Sequence, residues 1–172
     1  MKREAFFILM DSCLGLAFRI IRGRGQGKNK GAIMNFSTFL ETQLLNTMFR
    51  SAAAYKPPAI YAALFTGDPT DAAGGPEVST TGTGYTRVQI TQADASWTAP
   101  AGDPSGGSIS RNTTPISFPT PTGDWGRVTH VALFDAASAG NKLVWGQIVP
   151  KNINNGDPAP TFPANSISWR LD

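Results

Sequence analysis

The sequence has one cysteine, Cys13, and one histidine, His130. No disulfide can form within the chain, which excludes a disulfide-stapled secreted scaffold. A structural zinc site needs about four ligands, usually Cys or His, so a single chain of this sequence cannot build one. Charge is also scarce: Asp, Glu, Lys and Arg make up 16% of the residues, against about 25% in an average soluble domain. A helical bundle or coiled coil, rich in Glu and Lys, is excluded on that ground. No apolar run reaches the roughly 20 residues of a transmembrane helix. No internal repeat or heptad run is present, so the chain cannot form the shaft of a long fibre.

What is present points to β structure. The 172 residues suit one domain, and 41% hydrophobic with 10% aromatic content provides for a core. The 18 glycines and 13 prolines supply many turns. Turn-rich, charge-poor and aromatic composition predicts an all-β domain of short strands.

The positive net charge of +3 is unevenly placed. Residues 1–33 hold seven basic and two acidic groups, and residues 34–172 hold eight basic and ten acidic groups. The body therefore offers no electrostatic footprint for nucleic acid. Residues 1–33 read as an N-terminal extension outside the fold. An apolar first half, interrupted by Asp11, leads into a basic, Gly-rich linker over 23–31. Basic residues rather than a small-residue cleavage site follow the apolar run, unlike a signal peptide. Met34 is the expected start of the folded unit, a single domain over 34–172.

Residues 36–54 are the one clear helix. Thr38 and Glu41 have capping-box spacing, and Asn35 or Ser37 can also cap. Phe36, Leu40, Leu44 and Met48 recur at steps of four, and Phe39, Leu45, Phe49 and Ala52 widen that face. Glu41, Gln43, Asn46 and Arg50 fall largely elsewhere. Lys56-Pro57-Pro58 ends the helix. Such a face packs on its own domain or docks on a neighbouring subunit.

Strands are expected at 59–66, 84–91, 94–98, 107–111, 115–118, 127–135, 141–149 and 165–171. Eight strands suggest an antiparallel two-sheet sandwich, jelly-roll-like, preceded by the amphipathic helix. Runs 60–65 and 131–134 are apolar on both faces and belong in central positions. Ala63-Leu64-Phe65 and Ala132-Leu133-Phe134 form a short internal echo. The recurrent Gly-Asp pairs at 67–68, 102–103, 123–124 and 156–157 read as turns rather than calcium loops, because they are scattered.

No catalytic constellation assembles. There is no G-x-S-x-G elbow and no phosphate-binding loop. His130 lies inside a predicted strand, beside Val128 and Ala132, and reads as a part-buried, hydrogen-bonded structural residue. No enzyme activity, cofactor, metal or membrane partner is expected. The four tryptophans default to core packing. Trp125, in the turn Gly123-Asp124-Trp125-Gly126, is the one expected to be partly exposed. With Phe39 and Phe49 of the helix, it completes the set of candidate interface residues. Loops 67–83 and 99–106 are further candidates for contact with neighbours.

Residues 35–172 resemble a family of small phage virion proteins often labelled tail fiber proteins. The resemblance is carried by NFSTFLETQLLNTMF, IYAALFTGDPTDAAGGPEVS, GYTRVQIT, ISFPTPTGDWGRVTHVALFDAASAGNKLVWGQI and NNGDPAPTFPANSISWRLD. The family is similar in turn to capsid cement, or decoration, proteins: jelly-roll subunits that trimerise on the phage head. The resemblance implies a virion structural role as a cement subunit or, alternatively, a tail fiber or carbohydrate-binding module of the tail. Its partners would be copies of itself, as a homotrimer, and the major coat protein or neighbouring tail proteins. No catalytic residues come with it.

Overall fold

The structure, a computed structural model, describes residues 32–33, 35–71, 75–104 and 107–171. Residues 1–31 of the expected extension over 1–33, together with residues 34, 72–74, 105–106 and 172, lie outside the described residues. Two short strands, Ala32–Ile33 (β1) and Asn35–Phe36 (β2), precede the helix Thr38–Phe49 (α1). Then follow Ile60–Phe65 (β3), Val88–Ile90 (β4), Ala101–Gly102 (β5), Ser108–Arg111 (β6) and Ile116–Ser117 (β7). Gly126–Phe134 (β8), Lys142–Ile153 (β9), Thr161–Phe162 (β10) and Ile167–Leu171 (β11) complete the order. The fold is mainly β, with antiparallel sheets and, among the described residues, one helix.

The largest sheet has the order β2-β9-β8-β3-β4, antiparallel throughout. β3 and β8 lie inside it because their side chains are apolar on both faces and need cover on both. The two echoed triplets meet directly: Ala63 stands opposite Ala132, and Leu64 opposite Val131. On one face, Ala62, Leu64, Val131, Leu133 and Val144 enter the main core. On the other, Ala63, Phe65, Ala132 and Phe134 form a second cluster, with the Phe65 and Phe134 rings stacked at 6.2 Å.

A second sheet has the order β1-β11-β6-β5, in which only the β1–β11 pair is parallel. β7 and β10 form a separate antiparallel pair. Aromatic rings link these pieces. Tyr85 packs edge-on against Trp125 at 5.2 Å and stacks with Phe118 at 6.2 Å, and Phe118 meets Phe162 at 6.1 Å. Asn112, fully buried beyond β6, donates to the carbonyls of Thr114 and Pro163 and accepts from the N–H of Ile167. A buried amide needs such partners, and here they join the end of β6 to β11.

Four expectations need correction. Among the described residues the strands are not eight in two sheets but fall in sheets of five, four and two. The expected strand 94–98 is reduced to a single bridge, Trp97 to Asn112. Ala32 and Ile33, assigned to the extension, pair with Ile167 and Ser168, so the fold begins before Met34. The helix ends at Phe49 rather than residue 54. Arg50 is already extended, although its N–H still bonds the carbonyl of Asn46. Residues 51–54 are exposed, and a last turn with no face to pack gains no tertiary support.

Candidate interaction surface

α1 is fixed at its N-terminus and free at its C-terminus. β2 pairs with β9, and the next residue, Ser37, donates its N–H to the carbonyl of Leu143 at 2.9 Å. Ser37, not Thr38, is the N-cap: its hydroxyl accepts the Leu40 N–H at 3.2 Å and donates to the carbonyl of Lys142. Asp71 takes the Thr38 N–H at 2.7 Å and the Thr38 hydroxyl. A carboxylate there also suits the positive end of the helix dipole. Burial, and then the nearby Asp71 charge, raise the Glu41 carboxyl above its ordinary value.

Beneath this junction Lys142 is buried, with its ammonium donating to the carbonyls of Pro69 and Thr70. The same group lies 4.8 Å from the centre of the Trp145 ring. Burial lowers its pKa, and the Asp71 and Asp68 charges oppose that shift. Loop 66–71, β9 and the start of the helix are thus one joined unit.

The helix is turned against its own amphipathic pattern. Phe39 and Leu40 pack on the core, Phe39 edge-on to Tyr55 at 5.2 Å. Beyond them, Glu41, Gln43, Asn46 and Thr47 are the half-buried positions. The apolar residues face outward, with exposure rising along the chain: Leu44 39%, Leu45 53%, Met48 71% and Phe49 75%. Four large apolar side chains gathered on one exposed half-helix mark an interaction surface rather than scattered surface hydrophobics.

The three candidate interface residues therefore separate. Phe49 is the most exposed of these helix side chains. Phe39, nearly three turns earlier, is half-buried against the core and Tyr55. Trp125 is a correction, since it is only 4% exposed. Its indole N–H donates to the carbonyl of Thr83 at 2.8 Å. Gly123 makes this possible: a side chain there would collide with the Gly82 carbonyl, so only glycine lets the two turns lie flat on one another. Leu44, Leu45 and Met48 belong to the surface with Phe49. Their spacing was visible in the sequence; the direction they face was not.

Other singled-out residues take structural roles. His130 is half-buried, and its Nδ1 lies 2.9 Å from the Thr129 hydroxyl. A bulge between Val128 and His130 puts Val128 into the main core, whereas Ala132 lies in the second cluster, so the two do not share a face. Three aspartates of the Gly-Asp pairs serve turns, and the fourth, Asp103, pairs with Arg170 at 3.7 Å. Asp68 accepts the Thr70 N–H at 2.9 Å, Asp124 that of Asn155 at 2.8 Å, and Asp157 that of Asn154 at 2.8 Å. The described part of loop 67–83 folds back on its own sheet, burying Pro69 and Val78. Among the described residues, no three His, Cys, Asp or Glu side chains stand close enough to hold a metal ion. Nor, among them, is any helix long and apolar enough to cross a membrane.

Comparison with known proteins bears on what this surface serves. Residues 35–170 match the family model described as podophage GP4 fiber I protein gp80. No curated protein matches the chain.

Proposed function

The chain belongs to the podophage GP4 fiber I protein gp80 family, and on that premise we propose that this phage virion structural protein is a docking subunit of a tail fibre. It acts by fitting against repeated neighbours and turns over no substrate. The observation that carries this is the outward apolar half of α1, Leu44, Leu45, Met48 and Phe49, held out from a rigid junction. Removing these side chains from water on assembly supplies the driving force, and repetition in a particle multiplies modest contacts.

The family description supports a place in the fibre, and the shape argues for a joint or tip. A chain of this size, without repeats, has a radius of gyration of about 15 Å. That is too short to be a shaft.

A second reading is a cement subunit on the outside of the head, in a trimeric, jelly-roll-like arrangement. The compact body and its few charges favour it, because closely repeated copies of a highly charged surface repel one another. Reconstruction of virions carrying the labelled protein tests both. Density along the tail supports the fibre reading, density over the head lattice supports cement, and absence from purified particles overturns both.

A further inference from the structure

We propose that the occupant of the exposed α1 face is a second copy of this chain, paired through its own α1 in antiparallel, two-fold fashion. This rests on the reading of α1 as the docking element and names its partner.

α1 and its C-cap hold two charged residues, Glu41 in the first turn and Arg50 at the end. They lie nine positions apart, about 14 Å along the axis, and the exposed apolar residues sit between them. A parallel partner would set Glu41 beside Glu41 and Arg50 beside Arg50. An antiparallel partner sets each glutamate near the other copy's arginine, at both ends of the contact.

The apolar residues obey the same symmetry. A two-fold axis passing between Asn46 and Thr47 puts Leu45 opposite Met48 of the second copy, and Leu44 opposite its Phe49. Long side chains then meet medium ones at every level, as two helices about 8–10 Å apart require. Glu41, whose carboxyl is held above its ordinary value by burial and by Asp71, gains a cation in this arrangement. Exposure favours it too, because the most open residues, Met48 and Phe49, lie together in the last turn of the helix. A two-fold contact is self-complementary, so the patch needs no other partner to be covered.

The contact is small. Four such side chains supply about half of what a standard interface buries per partner. The pair is therefore weak in isolation and gains strength through repetition.

Sedimentation equilibrium of the full chain, at micromolar to millimolar concentration, tests it. A monomer–dimer equilibrium is expected. Phe49→Glu should weaken it about 30-fold or more. Glu41→Arg or Arg50→Glu alone should each weaken it about threefold, and the double exchange, Glu41→Arg with Arg50→Glu, should restore it. Failure of that restoration, a trimer, or a chain that stays monomeric overturns the proposal. A dimer that appears only after residues 1–31 are removed also overturns it, since the chain's own N-terminal segment would then be the natural cover. Incorporation of the same variants into particles separates this failure from that of the docking reading. If Phe49→Glu blocks incorporation while the charge exchanges leave it intact, docking stands and self-pairing falls. If no variant affects incorporation, both fall.

Discussion

The phenol oxygen of Tyr85 accepts the backbone N–H of Leu64 at 2.8 Å and donates its own proton to Glu77 at 3.0 Å. β4 pairs with β3 only at Ile60–Ala62, and the backbone of residues 76–78 takes up the same edge from the Leu64 carbonyl to Thr66, so at the Leu64 N–H between them a side chain takes the place of a strand. Glu77 passes the chain of contacts to Arg87 through two bonds, at 2.9 and 2.8 Å. Arg87 in turn donates to the carbonyls of Ala136 and Ala139 and lies 3.7 Å over the Phe134 ring. Tyr85→Phe keeps the ring packing and strands the Leu64 N–H. It should lower stability by about 2 kcal/mol, read from urea unfolding. A loss below about 0.5 kcal/mol would show that the hydroxyl is not needed there.

Trp125 and Phe49 should behave in opposite ways. Trp125→Ala empties a buried site and removes one of the two hydrogen bonds to the Thr83 carbonyl, with an expected loss of about 3–5 kcal/mol. Phe49→Ala removes a side chain that is 75% exposed and should leave the melting temperature of the dilute protein nearly unchanged. Thermal melts of both variants, at low concentration, check the contrast. Equal losses would mean that α1 is packed in solution otherwise than described.

Asn112 should be the most sensitive polar residue. Asn112→Ala leaves the Ile167 N–H unpaired inside the protein and removes the bonds that tie the Thr114 and Pro163 carbonyls to this side chain. A loss of roughly 3 kcal/mol follows. Hydrogen exchange at the Ile167 amide should rise in step with it. Protection at that amide equal to the wild type would contradict the role given to this side chain.

Alkaline pH should loosen the contact between the helix base and the β8–β9 turn. Burial, then the hydrogen bond to Asp135 and the charge of Asp135, push the Tyr55 phenol up to about 12. The unfolded phenol ionises near 10. Below pH 10 both states hold the neutral phenol and its contribution is whole. As pH rises from 10 to 12 the unfolded state ionises first, and that contribution is lost. Tyr85, pushed higher still, adds in the same direction. Melting temperatures from pH 9 to 12 should therefore fall less steeply for Tyr55→Phe than for the wild type. Parallel curves would remove Tyr55 from the account.

The long central strands were legible because their chemistry is local. β3 and β8 are apolar at successive positions, and no other placement covers both faces. The helix was legible in its start, with Ser37 among the expected caps, but not in its end or its facing. Periodicity shows that Leu44, Leu45, Met48 and Phe49 share a side. It does not show which side turns toward the body, and here the junction at Ser37, Thr38 and Asp71 decides that. The two-residue strands β1, β2, β5 and β10 carry too few residues for alternation to show. Trp125 looked exposed because its turn is Gly-rich, and its burial depends on the contact of Gly123 with distant Gly82. Tyr85 appeared to lie in a regular strand, yet its ring is buried and the strand begins only at Val88.

β1 belongs to one sheet and β2 to the other, with a single residue between them. A pull entering at Ala32 therefore loads the β1–β11 pairing first and reaches the β2–β9 pairing only once the first has given way. The two sheets resist one after the other, and the short length of backbone between β1 and β2 hands the tension from one to the next.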